Sequence, residues 1–160
     1  MDEGEEVKEF KVTPIRNGTV IDHITCNMAL KVLSTLGITE KGVDSTVSVL
    51  MHVPSKKAGW KDVVKVEDRE LDAKEVDKIA LIAPLATINI IRNYKVAEKH
   101  RVELPKCVVG IVKCANLNCI TNLQEPVESR FEVIAKDPPK LRCWYCEREI
   151  ADKEILEYIV

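Results

Sequence analysis

Aromatic side chains are scarce in this sequence: two Phe, two Trp and three Tyr among 160 residues. Any core it forms must therefore be filled by Ile, Val and Leu. An excess of one charge is also lacking. With 24 Lys and Arg against 26 Asp and Glu the formal net charge is −2, which argues against a general polyanion binder. No apolar run approaches the roughly 18–20 residues that span a bilayer. The opening "MDEGEEVKE" is acidic, whereas a signal peptide carries a basic and then an apolar region. These features predict a cytoplasmic chain with no membrane partner, residues 1–9 forming a disordered tail. The six glycines never fall into G-x-x-x-x-G-K-[ST] or G-x-G-x-x-G, so no phosphate-cradling loop is legible. No nucleophile elbow adjoins His23, His52 or His100, and no catalytic residue is assigned.

Periodic patterns are present where motifs are not. "FKVTPIRNGTVIDHI" reads as two extended pieces joined at Arg16-Asn17-Gly18, Asn-Gly being a tight-turn signal. A helix is expected from Thr25, with Met28, Val32, Leu33 and Leu36 on one face and Gly37 as its C-terminal cap. Val47, Val49, Met51 and Val53 alternate as a half-buried strand does, and "KDVVKVED" supplies the next. Asp72 and Glu75 have the spacing of a capping box ahead of Val76, Ile79, Ala80 and Ala83, and Pro84 ends that helix. "ATINII" and "NYKVAE" add two extended pieces. The order predicts an α+β fold: a ferredoxin-like βαββαβ sandwich with one added strand.

From about Leu104 the helical period stops and cysteines appear, so the predicted domains are residues 1–103 and 104–160. "ESRFEVIA" and "KLRC" are expected strands around the turn "KDPP", giving a small all-β domain of zinc-ribbon type. "CANLNC" is followed after 23 residues by "CWYC". Four thiolates, Cys114, Cys119, Cys143 and Cys146, satisfy a tetrahedral Zn2+ and leave no open position for water, so the site would be structural. A domain this small needs such a staple. A redox role for "CWYC" would require a thioredoxin-like βαβ unit, which is missing, whereas iron–sulfur ligation has compatible spacing. Cys26 and Cys107 are expected as small core residues. From Leu104 onward eight Lys or Arg face nine Asp or Glu. That balance favours docking on a protein over phosphate contact and predicts no nucleic-acid partner. A zinc-ribbon nucleic-acid or transcription accessory protein is the alternative.

One pair stays open on the residues alone. On a regular strand the adjacent Asp22 and His23 point to opposite faces. They are either a solvated strand end or, if the strand bends, two contacts on one ligand.

"NGTVIDHI", "WKDVVKV", "IAPLATINIIRNYKV" and the C-x4-C…C-x2-C cluster, in this order, resemble the regulatory chains of aspartate carbamoyltransferase, from about Phe10 to Glu149. The resemblance implies a non-catalytic subunit that controls pyrimidine biosynthesis. Its N-terminal domain would bind the allosteric effectors CTP and ATP, with UTP a further candidate. It implies Asp22 and His23 near ribose and phosphates, Lys65 at the ribose and Lys99 at the triphosphate. Asn89, Ile91, Tyr94 and Val96 would form the base and phosphate pocket, with Val12, Ile15 and Val20 along the base. The zinc domain would hold the catalytic chain, with Asn116, Asn118, Glu147 and Arg148 as interface candidates. Regulatory homodimers would join catalytic trimers into a dodecamer of six catalytic and six regulatory chains. The tail 150–160 lies beyond these motifs.

Overall fold

A computed structural model describes residues 14–38, 44–56, 59–123 and 127–160. The first part of the chain runs β1 (Gly18–Ile24), α1 (Ala29–Thr35), β2 (Val47–Ser55), β3 (Gly59–Glu67), α2 (Ala73–Ile82), β4 (Thr87–Arg92) and β5 (Lys95–Arg101). These strands form one antiparallel sheet in the order β2-β3-β1-β4-β5. Strands β1 to β4 with the two helices make the expected βαββαβ unit, and β5 is the added edge strand. Alternation divides the two faces. Thr19 and Ile21, Val64 and Val66, and Ile88 and Ile90 are buried on one side. Most of these side chains join Val32 and Leu33 of α1 and Ile79 of α2 in the buried core.

Helix ends follow local chemistry in part. The capping box at α2 forms: Glu75 N–H donates to Asp72 Oδ1 at 2.8 Å, and Asp72 N–H to Glu75 Oε1 at 3.2 Å. Gly37, at φ +71°, closes α1, with Gly37 N–H donating to Ser34 O and Ile38 N–H to Leu33 O, the pattern of a Schellman cap. The start of α1 differs from expectation. It begins at Ala29 and not at Thr25 because Asn27 takes φ +71°. The Ala29 N–H is instead satisfied at 3.0 Å by the fully buried carboxylate of Asp62, on β3. That cap comes from 33 residues away, so no local pattern announces it.

Three strand expectations are corrected. Pro14 to Asn17 form no strand, and residues 10–13 lie outside the described residues. The alternation of β2 breaks at a bulge between Leu50 and Val53, where His52 has φ +57°. The last piece begins at Lys95, because Asn93 and Tyr94 both take positive φ and form the β4–β5 turn.

The second sheet has the order β6-β7-β8-β9, made of β6 (Cys107–Val109), β7 (Arg130–Lys136), β8 (Pro139–Cys143) and β9 (Glu149–Ala151). Phe131, fully buried, sits in its core with Leu141 and Ile150. The tail that the motifs left unread completes this core: β9 pairs with β8, and α3 (Lys153–Tyr158) buries Ile155. The chain end is tied back by a bridge between Val112 and Ile159 and by Val160 N–H donating to Ile111 O at 2.9 Å.

Candidate functional site

The face of the first sheet turned away from its helices collects most of the polar residues singled out in the sequence. The register aligns Lys65, Val20, Asn89 and Lys99 as one row across β3, β1, β4 and β5. Asn89 Nδ2 donates to Val20 O at 3.3 Å, holding the amide flat against the sheet. One step along, Asp22, Thr87 and Arg101 form a second row. Toward the other end, Ile91 pairs with Gly18 and with Val96. Tyr94 lies beyond, in the turn, with its N–H donating to Arg16 O at 2.9 Å. Ile15 is buried, and Val12 lies outside the described residues.

The question left by Asp22 and His23 has a geometric answer. Strand β1 carries an irregularity between Ile21 and Ile24, and His23 has φ +55°. The bend brings His23 Nδ1 to 3.2 Å from Thr87 Oγ1 and 3.9 Å from Asp22 Oδ2, so both side chains serve the same face. Lys61 Nζ meets Asp22 Oδ1 at 2.8 Å, and the His23 N–H donates to the same oxygen at 2.6 Å. Burial pushes the Asp22 carboxyl up, but Lys61 and the His23 N–H outweigh it and hold the group below its ordinary value. This end of the face opens on a cavity of about 340 Å³ that includes His23, Lys61 and Arg101. Lys61 and Arg101 escaped the reading of the sequence. Lys61 stands four residues before Lys65 and Arg101 two after Lys99, so strand alternation alone places each with its neighbour on one face.

The four paired cysteines converge. All four sulfur atoms lie within 4.8 Å of one another, with Cys114 to Cys146 at 3.5 Å and Cys119 to Cys143 at 3.7 Å. A regular tetrahedron with metal–sulfur bonds of about 2.3 Å has edges of roughly 3.8 Å, so the cluster fits zinc. Burial pushes the Cys114 and Cys143 thiols up. It acts on Cys146 as well, but the Arg148 N–H and the Asn116 side chain prevail and bring that thiol down to about 7. A bound cation would hold all four as thiolates. The first knuckle is laced by Asn122, whose Nδ2 donates to Cys114 O at 2.8 Å and Asn116 O at 2.7 Å. In the second knuckle Cys143 N–H donates to Arg148 O and Glu147 N–H to Cys143 O.

Residues 10–103 match the model of the aspartate carbamoyltransferase regulatory chain, allosteric domain, and residues 106–156 match that of its metal binding domain. This chain belongs to the aspartate carbamoyltransferase regulatory chain family. It is 53% identical to the regulatory chain of Thermoplasma volcanium over 152 residues, covering 95% of this chain and 99% of that one. It is 55% identical to that of Pyrococcus horikoshii over 148 residues, covering 92% and 97%. With that of Methanothermobacter thermautotrophicus the identity is 56% over 147 residues, covering 92% and 93%. The relatives are regulatory chains, so the chain is a non-catalytic subunit of an enzyme. Among the described residues no helix is long and apolar enough to cross a membrane.

Around the metal centre of this regulatory chain, the interface candidates divide. Asn116 is half-buried and serves the knuckle itself, its Oδ1 accepting from Asn118 N–H at 3.0 Å. Asn118, Glu147 and Arg148 are exposed. Beside them stand apolar side chains that the motif reading passed over: Leu117, Ile120, Trp144 and Tyr145 are all exposed. The guanidinium of Arg130 covers the Trp144 ring at 4.7 Å.

Proposed function

We propose that this regulatory chain binds CTP and ATP, with UTP a further candidate, on the open face of its first sheet. The reading is carried by one observation: Lys65, Val20, Asn89 and Lys99 share a row, and Asp22 and His23 share its face. The distance from Ile91 to Thr87 along β4 is about 13 Å at the usual rise per residue, which suits a nucleotide laid along the strand. The base would sit toward Ile91 and Val96, where backbone groups and aliphatic side chains offer a flat apolar contact. Lys65 would reach the ribose, and Asp22 accept from a ribose hydroxyl. Lys99, His23, Lys61 and Arg101 would give charge-assisted hydrogen bonds to the phosphates. With no phosphate-cradling glycine loop in the sequence, the nucleotide would be held and not hydrolysed.

The metal would be one structural Zn2+, and the knuckles around it would dock on the catalytic chain. Exposed Leu117, Ile120, Trp144 and Tyr145 beside Asn118, Glu147 and Arg148 have the apolar centre and polar margin of a protein interface. Homodimers of the regulatory chain would link catalytic trimers in a cytoplasmic dodecamer of six catalytic and six regulatory chains. Effectors would bias its quaternary equilibrium by binding the states unequally, a coupling typically worth about 1–3 kcal/mol. Calorimetric titration of the assembled enzyme with CTP and ATP, wild type against Lys99→Ala, tests the reading. Micromolar to millimolar binding weakened by the substitution is expected. A complete lack of nucleotide affinity overturns it.

A further inference from the structure

We propose that Cys26 is a reactive thiol that undergoes exchange with small anionic disulfides, with His52 as the base that receives its proton. Cys26 was expected to be a small core residue, and it is not. It is half-buried, and its Sγ lies 3.0 Å from His52 Nδ1, close enough for the imidazole to take the thiol proton. Two features fix the base. The His52 ring stacks on Trp60 with centroids 4.2 Å apart and planes at 11°. The backbone N–H of His52 donates at 2.8 Å to Asp62 Oδ1, which pins the bulge of β2 against β3 and so fixes where the residue stands, while Trp60 sets the plane of its ring. A nucleophile beside a base whose orientation is set by a third group is the arrangement that activates a thiol.

The thiol also has somewhere to react. Cys26 lines the cavity of about 340 Å³ together with Trp60, Leu85, His23, Lys61 and Arg101. The apolar members would receive the body of a small disulfide, and Lys61 and Arg101 its negative charge. The groups around the pair are Asp22 and His23 from β1, Lys61 and Asp62 from β3, and Arg101 from β5. In the reaction Cys26 Sγ attacks one sulfur of the disulfide as its proton passes to His52 Nδ1. The new S–S bond forms as the old one breaks, and the departing thiolate takes up the proton from His52. One S–S bond is exchanged for another: the Cys26 sulfur takes the place of the departing sulfur in a mixed disulfide, the other half leaves as a thiol, and no external oxidant or reductant is needed. The adduct would fill the cavity beside His23 and Lys61. Its consequence for effectors rests on reading the open face as the nucleotide site, whereas the reactivity does not.

Cys107 is the internal reference, half-buried like Cys26 but without a histidine partner among the described residues. The zinc-loaded chain is treated with 5,5′-dithiobis(2-nitrobenzoate), and the labelled peptides are quantified by mass spectrometry over time. Cys26 should be labelled at least about tenfold faster than Cys107 near neutral pH, where an ordinary thiol is only a few per cent thiolate. His52→Asn, a residue that tolerates positive φ, should slow Cys26 and move its pH profile to that of Cys107. Equal rates for the two cysteines in the wild type overturn the proposal whatever the variant does. So does a His52→Asn profile identical to the wild type. Cys26 labelling that leaves CTP titration unchanged overturns the link to effector binding.

Discussion

Asp22 and His23 are neighbours in sequence, yet both serve one face of the sheet, because His23 takes φ +55° and reaches Thr87 Oγ1 at 3.2 Å. Thr87 is itself the residue paired with Asp22 on β4. The adjacency is thus converted from an alternating pair into a single polar corner. The expected outcome of His23→Asn, which tolerates the left-handed backbone, is a roughly tenfold loss of CTP and ATP affinity, or about 1.4 kcal/mol. Calorimetry of the assembled enzyme reads it. His23→Val should show the same loss and also unfold more easily, by about 1–3 kcal/mol, since a β-branched residue is strained there. If His23→Asn binds as tightly as the wild type, the imidazole does not contact the nucleotide.

The corner is also sensitive to acid. The Asp22 carboxyl is held below its ordinary value of 3.8, so its folded form releases the proton more readily than its unfolded form. Its contribution to stability is therefore complete above about pH 4 and disappears as pH falls through the lowered folded value. The difference in unfolding free energy between wild type and Asp22→Asn should be constant near neutral pH and shrink toward zero in acid. Taking the difference removes the effect of cysteine protonation at the metal, which is common to both chains. A difference that grows on acidification would contradict the Lys61–Asp22 pairing.

Asp62 holds together two irregular segments: its oxygens accept from Ala29 N–H at 3.0 Å and from His52 N–H at 2.8 Å. The side chain is fully buried. Removing it in Asp62→Ala strands two donors, and each buried unsatisfied group costs about 1–3 kcal/mol. A loss of about 3 kcal/mol or more in urea unfolding is expected. Asp62→Asn keeps one acceptor and should lose less. A smaller loss for alanine than for asparagine would mean that neither bond carries weight.

These elements divide by whether their cause is local. The Asp72–Glu75 box, the Gly37 cap and the C-x4-C and C-x2-C clips are set by residues within a turn of one another, and each forms as its spacing predicts. The start of α1 depends on Asp62, and the corner at His23 on strand pairings formed many residues away. A bulge shifts which face a side chain serves, so "GTVIDHI" could pose the question of its two polar residues but not answer it. Lys61 and Arg101 are a different case. Their distances from Lys65 and Lys99 were in plain view, and only the choice of partner strands was missing.

The metal centre carries the largest single energetic stake. Structural Zn2+ in small sites binds with roughly 10–16 kcal/mol of apparent free energy at neutral pH, against about 5–15 kcal/mol of net stability for a typical domain. Stripping it with an organomercurial should therefore melt the second sheet, exposing the amides of Phe131 and Leu141 to hydrogen exchange while Ile21 and Val64 in the first stay protected. The catalytic chain should dissociate in the same step. Asn122→Ala makes a gentler test, because it leaves all four sulfurs and removes only the side chain that ties Cys114 O and Asn116 O. Loss of a supporting hydrogen bond of this kind typically lowers metal affinity about 10–100-fold, which competition with a chromophoric chelator measures. If the metal leaves and the catalytic chain stays bound, the knuckles are a staple for the fold and the docking surface lies elsewhere.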